Sequence, residues 1–217
     1  MKITWLGHAS FLIESKNGTR IITDPFEAGS YEGAVGYAPI SERADIVTVS
    51  HDHADHNAVD AVTGTPEVVR GTEPRTVADV SIRGFSTYHD ESRGQERGRN
   101  TIYVMEVDGL KVGHLGDLGH ELTEDEASEI GSVDVLLAPI GGYYTIGPEE
   151  AKKAAEALGA RVIIPMHYKT EALGFPIQPV DDFLKLMEHV DRVGSRSVEV
   201  DPDSLPDPSQ VVVLDYE

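Results

Sequence analysis

The stretch "SHDHADHN", Ser50 to Asn57, follows directly on the apolar run that begins at Asp45, "DIVTVS". Continued as a strand, it would put His51, His53 and Asp55 on one side and His56 on the other. A turn just past the strand end is therefore needed to bring the four side chains to one point. Imidazoles and carboxylates crowded at a strand end are the donor types of metal and acid–base sites. The plain alternative is a solvated histidine-rich loop or a pH-sensitive patch. The rest of the chain decides between them.

Outward from this stretch, two segments share a layout. "HASFLIE" runs through "SKNG" into "TRIITDP", and "RNTIYVME" runs through "VDG" into "LKVGHLGD". Each predicts two alternating strands joined by an Asn-Gly or Asp-Gly hairpin, with the second strand ending in an aspartate, Asp24 or Asp117. A histidine lies upstream of each hairpin, His8 or His89, so the halves read as an internal duplication. Helix and strand signals then alternate, as expected for sheets covered by helices. Thr123 and Glu126 form a capping box opening "TEDEASEIG", and "VDVLLAPI" is a buried strand. Pro148 starts the helix "PEEAKKAAEALG", "RVIIPMHY" is another buried strand, "VDDFLKLMEHV" predicts a last amphipathic helix and "QVVVLDY" a last strand.

Composition bounds the partners. The chain has 217 residues, 40% of them hydrophobic, and nothing divides it in two, so one domain over residues 1–217 is expected. With 38 acidic and 18 basic residues its formal charge is −20, which repels nucleic acid and anionic membranes. No apolar stretch approaches a bilayer span of about 20 residues, and "MKITWLGHASFLIES" is too interrupted by polar residues for a signal peptide, so a cytoplasmic location is expected. There is no cysteine, so any metal is held by nitrogen and oxygen.

The pattern His51, His53, Asp55, His56, then His89, Asp117 and His167, resembles the signature of the metallo-β-lactamase-fold hydrolases. The stretches "GHASFLIE", "GRNTIYVMEVDGLKVGHLGDLGH", "APIGGYYTIGPEEA" and "VIIPMHYKT" resemble a subgroup of uncharacterised metal-dependent hydrolases, distantly similar to the L-ascorbate-6-phosphate lactonases. The likeness spans nearly the whole chain. It implies an α/β fold, a four-layered αβ/βα sandwich with pseudo-symmetric halves and the site along one edge of the two sheets. It also implies two divalent metal ions per chain, zinc first, with manganese, iron or nickel as alternatives. His51, His53 and His89 would hold one ion, Asp55, His56 and His167 the other, and Asp117 would bridge them, with a bridging hydroxide as nucleophile. A bridging carboxylate offsets the repulsion of two close dications. Two dications less Asp55, Asp117 and one hydroxide leave the inner site at about +1, which suits a small substrate with an anionic or polarised oxygen.

Other residues are weaker candidates. His8 could contact substrate or position a loop, and Asp24 could orient a ligand histidine or cap the turn at Pro25. His120 is close in sequence to Asp117 without being needed as a ligand. His114 reads as structural and His189 as solvated on the last helix. Tyr143 or Tyr144 in "GGYYTIG", the basic cluster Arg93, Arg97 and Arg99, and Lys169 are candidates to line the pocket or bind an anion.

The leading reading is a dinuclear hydrolase acting on a small ester, lactone or phosphoester, with Asp55 and Asp117 in the catalytic centre. The alternatives are a phosphodiesterase or nuclease of the same fold, and a non-catalytic metal-binding regulatory protein. The expected partner is a small-molecule substrate, with neither nucleic acid nor membrane favoured and homo-oligomerisation compatible.

Overall fold

The computed structural model describes residues 1–216. Five strands lie side by side in chain order in the first sheet: β1 (Lys2–Gly7), β2 (Ser10–Glu14), β3 (Arg20–Thr23), β4 (Arg43–Val49) and β5 (Thr63–Arg70). The first two joins are antiparallel and the next two parallel. After β6 (Arg75–Val77), the second sheet repeats this pattern with β7 (Val80–Tyr88), β8 (Arg99–Val107), β9 (Leu110–His114), β10 (Val135–Pro139) and β11 (Val162–Met166). Again two antiparallel joins are followed by two parallel ones. β12 (Val190–Arg192) and β14 (Gln210–Val213) extend the second sheet, while β13 (Ser197–Glu199) crosses back to β1. The repeat legible in the two hairpins is thus part of a repeated five-strand unit.

Alternation along each strand builds the layers. Phe11, Ile13, Ile21 and Ile46 face the inter-sheet core with Ile82, Tyr103 and Met105, whereas Leu12, Ile22 and Val47 face outward into a second cluster. Loops carrying Phe26, Tyr37, Leu173 and Ile177 cover that outer face, with one 3-10 turn, Val59–Ala61. The outer face of the second sheet is covered by helices Glu124–Ile130 and Pro148–Ala157, the latter burying Ala151, Ala154 and Ala155. The result is the four-layered sandwich. β10 and β11 are buried at every residue, as parallel strands covered on both faces must be, so "VLLAP" and "VIIPM" are unbroken apolar runs.

The capping box forms: Thr123 Oγ1 accepts from the Glu126 N–H at 3.2 Å, and Glu126 Oε2 accepts from the Thr123 N–H at 2.9 Å. Four sequence expectations are corrected. The helix expected over "VDDFLKLMEHV" stops at Leu184: the chain tightens through Leu186 N–H to Phe183 O and Met187 N–H to Leu184 O, then joins β14 as β12. His189 therefore precedes an edge strand, its carbonyl accepting from the Val211 N–H. β8 is buried over most of its length instead of alternating, because it lies between β7 and β9 and consecutive residues Ile102 to Met105 all join the core cluster. β9 ends at His114, which leaves Asp117 in the loop beyond it, its N–H given to Asn100 Oδ1 at 3.0 Å.

The residues of interest follow strand ends: His8 after β1, Asp24 after β3, His51 after β4, His89 after β7, Asp117 beyond β9 and His167 after β11. The parallel strands of both halves terminate on one edge of the sandwich, the place where open α/β sheets bind ligands. No helix among the described residues is long and apolar enough to cross a membrane.

Candidate metal centre

The chain turns immediately after His51, so His56 swings back beside it, with the His56 N–H donating to His53 O at 2.9 Å. Asp117, from the other half of the molecule, lies at the centre. Its Oδ2 is 3.2 Å from His56 Nε2, 3.2 Å from His89 Nε2, 3.4 Å from His167 Nε2 and 3.8 Å from His51 Nε2. Three groups have donor atoms mutually within 4.8 Å: His51, His53 and His89; His8, Asp55, His56 and His167; and Asp24, His51 and His56.

Hydrogen bonds behind the imidazoles set where their protons sit. Asp24, fully buried, accepts from the Ser50 N–H at 2.8 Å through Oδ1, and from Ser50 Oγ at 2.5 Å and His56 Nδ1 at 3.0 Å through Oδ2. Because Ser50 spends its one hydroxyl proton on Asp24, its oxygen accepts from His51 Nδ1 at 2.9 Å. Both rings thus carry a proton on Nδ1 and turn Nε2 inward, bare on the neutral His51. His51 Nε2, His56 Nε2 and Asp117 Oδ1 are buried without a hydrogen-bond partner among the described residues. Inward lone pairs around a carboxylate are what a cation requires and what a packed polar core avoids, so the donor set fits divalent metal.

Electrostatics agree. Burial, reinforced by neighbouring His56, pushes His51 down to about 3, and burial with nearby His167 pushes His8 down to about 4. Burial opposes ionisation of Asp117, yet His167, His56 and His89 hold its carboxyl well below the usual range. His56 is raised well above its ordinary value, because Asp117 and Asp55 overcome its burial, so a cation entering here displaces a proton. His8, Asp24 and His167 all have positive φ, at 53°, 38° and 50°, and such strained backbone concentrates at functional sites.

The cavity over the cluster measures about 240 Å³. His53, Asp55, His89, Asp117 and His167 form its floor. His8 lies behind that floor, fully buried, with Nε2 at 3.1 Å from Asp55 Oδ2, so it positions Asp55 instead of meeting a substrate. His114 is satisfied at both nitrogens, by Ala9 O at 2.8 Å and the Gly116 N–H at 3.1 Å. His120 accepts from the Tyr88 N–H at 3.4 Å and lies outside these groups.

Two sequence candidates are corrected. Lys169 donates to the carbonyls of Leu173 and Phe175, so its ammonium ties down a loop and lies outside the cavity wall. Tyr143 is 69% exposed and lies outside that wall, whereas Tyr144 is in it. Of the basic cluster, Arg97 reaches the cavity, Arg99 pairs with Tyr88 in the sheet, and Arg93 sits in the intervening loop with φ 59°. Sequence reasoning missed Tyr31 and Phe175. The Tyr31 hydroxyl donates to Asp55 Oδ1 at 3.1 Å, and its ring meets Phe175 edge-on at 5.5 Å. Burial and Asp55 push the Tyr31 phenol up to about 12, so it stays protonated at neutral pH.

Gly119 lets the loop that carries Asp117 pack directly on the backbone of His89. A Cβ there would lie 2.2 Å from the His89 carbonyl carbon and 2.4 Å from Asp90 N. Gly119→Ala is expected to cost about 1–3 kcal/mol by forcing the backbone apart and, by moving His89, to lower metal content. Thermal melting and elemental analysis of the variant check this; wild-type values in both would remove Gly119 from the support of the site.

The Beta-lactamase superfamily domain family matches residues 2–167. The UPF0173 metal-dependent hydrolase of Thermococcus kodakarensis is 33% identical over 197 residues, 78% of this chain and 85% of that protein. The corresponding hydrolase of Archaeoglobus fulgidus is 32% identical over 220 residues, covering 87% of this chain and 91% of its own. A solved structure from Thermotoga maritima, assigned to the Zn-dependent hydrolases of the metallo-beta-lactamase superfamily, superposes with a TM-score of 0.81 at 46% identity, covering 98% of this chain and 97% of the other. The chain belongs to the metallo-β-lactamase superfamily and, within it, to the UPF0173 metal-dependent hydrolases.

Proposed function

We propose that this metal-dependent hydrolase holds two divalent cations, one on His51, His53 and His89, the other on Asp55, His56 and His167, with Asp117 between them. The reaction proposed is hydrolysis of a small ester, lactone or phosphoester. The observation that carries the reading is the pair of inward Nε2 atoms on His51 and His56, fixed by Ser50 and Asp24 and turned toward Asp117. Nitrogen and oxygen donors suit zinc, manganese, iron or nickel, and the zinc dependence assigned to the Thermotoga maritima relative puts zinc first.

When bound, the cations supply Lewis-acid polarisation of a carbonyl or phosphoryl oxygen and a water-derived nucleophile at neutral pH. The chain's own residues do the rest. Asp117 and Asp55 balance the charge, Asp24 and His8 hold the ligands in orientation, and Tyr31 and Phe175 narrow the mouth over Asp55. A cavity of about 240 Å³ is below the range of about 300–1,000 Å³ usual for drug-sized ligands, which favours a small substrate. The nuclease alternative is disfavoured by the charge of −20 and by a wall with a single arginine.

Elemental analysis of protein purified without chelator is expected to give about two ions per chain. Removing them by dialysis against chelator should abolish turnover of ester and lactone substrates and lower the melting point. Re-addition of one of the four candidate metals should restore both. A ligand present at 100 times its dissociation constant stabilises by about 2.7 kcal/mol, so the melting shift is readily seen. One ion or none, with turnover indifferent to chelator, would sink the dinuclear reading.

A further inference from the structure

We infer that Arg97 is the substrate-recognition residue of this site, and that the substrate is a small ester or lactone carrying an anionic group, a carboxylate or phosphate, beside its scissile bond. The inference rests on the hydrolase reading above and names its substrate class. Among the described residues Arg97 is the one Lys or Arg in the cavity wall. Its guanidinium donates no hydrogen bond among those residues; it lies 5.7 Å from the Tyr144 ring centroid, and its nearest acid is Glu96 at 3.7 Å. An unspent planar fork on an aromatic face presents paired donors to an oxyanion.

The backbone carrying Arg97 is fixed. The buried Asp90, next to His89, accepts from Ser92 Oγ at 2.8 Å, the Gly94 N–H at 2.8 Å, the Glu96 N–H at 3.1 Å and the Arg97 N–H at 2.8 Å. One carboxylate thus ties the arginine's main chain to a residue adjoining the metal cluster, and all four bonds involve atoms that a substitution of the Arg97 side chain leaves in place. The remaining wall is aromatic, Tyr31, Tyr144 and Phe175, which suits a short apolar or planar body between the anionic group and the reacting carbonyl. In a chain of charge −20, a half-buried arginine in the cavity wall selects an anion against the overall field. Hydrolysis of such an ester bonds the water oxygen to the carbonyl carbon and breaks the acyl C–O bond. One water proton passes to the leaving alcohol and one to solvent; nothing is oxidised or reduced.

The test uses metal-loaded wild type, Arg97→Ala and Arg97→Gln with two esters that share a leaving group, neutral 4-nitrophenyl acetate and the anionic mono-4-nitrophenyl succinate. The ratio of kcat/KM for the anionic over the neutral ester is expected to fall by about tenfold to a hundredfold in both variants, as loss of a charge-assisted hydrogen bond predicts. An equal ratio in wild type and variants overturns the inference while leaving the hydrolase reading standing. If neither ester is turned over by any metal-loaded protein, the ester reading fails by itself, and calorimetric titration with succinate and with inorganic phosphate decides the anion site. Binding at least ten times tighter to wild type than to Arg97→Gln supports it, and the tighter of the two probes identifies carboxylate or phosphate. Equal binding to both proteins overturns it.

Discussion

Asp117→Ala is expected to hold fewer than two metal ions per chain and to lose hydrolytic turnover by about a thousandfold or more. The magnitude follows from losing several kcal/mol of transition-state charge stabilisation, where each 1.36 kcal/mol is a factor of ten. Asp117 Oδ2 sits within 3.8 Å of four imidazole nitrogens from three separate segments, so one carboxylate serves both ligand groups. In the proposed two-cation site, removing it would take away the charge that lets two dications lie side by side. Asp117→Asn separates charge from shape, because its amide fills the same space and brings no negative charge. Elemental analysis and turnover of the metal-loaded variants are the measurements. If Asp117→Ala keeps two ions and wild-type turnover, Asp117 is not the bridge.

How far the sequence could be read depended on how local each signal was. His51, His53, Asp55 and His56 are legible because six consecutive positions carry four donors after an apolar run, and one turn suffices to gather them. Asp24 and Asp117 are legible as equivalents because their hairpins repeat. Tyr31 is not, since it reaches Asp55 from a segment whose backbone is left-handed at Tyr31 and Glu32, with φ 51° and 59°, and sequence periodicity has nothing to register there. Phe175 and Lys169 share a loop whose fold depends on long-range bonds, such as the Gly174 N–H to Ala34 O at 2.7 Å. The end of the "VDDFLKLMEHV" helix was lost to pairing with β14, a tertiary contact that overrides helical propensity.

Asp24→Asn is expected to weaken metal binding by about tenfold to a hundredfold while the fold survives, the usual range for a group that orients a ligand from behind. An amide cannot replace the carboxylate in either orientation. With its NH2 placed at Oδ2, it faces His56 Nδ1 and Ser50 Oγ as a donor. His56 must then accept on Nδ1 and turn a protonated Nε2 toward Asp117, and Ser50 must send its proton to His51, which reverses that ring too. With its NH2 placed at Oδ1 instead, it meets the Ser50 N–H, donor against donor, and leaves that buried group unsatisfied at about 1–3 kcal/mol. Asp24→Ala strips the acceptor from all three donors at once and is expected to cost roughly 3 kcal/mol or more of stability, so it reports on folding where Asp24→Asn reports on the tautomers. Competition with a calibrated chelator measures the affinities, and nitrogen-detected NMR of the imidazoles in metal-free protein reads the protonated nitrogen directly. Wild-type affinity in Asp24→Asn, with both rings still protonated on Nδ1, would mean that Asp24 does not direct these ligands. A weakened affinity with the proton moved to Nε2 would place control of both metal-facing nitrogens on one buried carboxylate behind the rings.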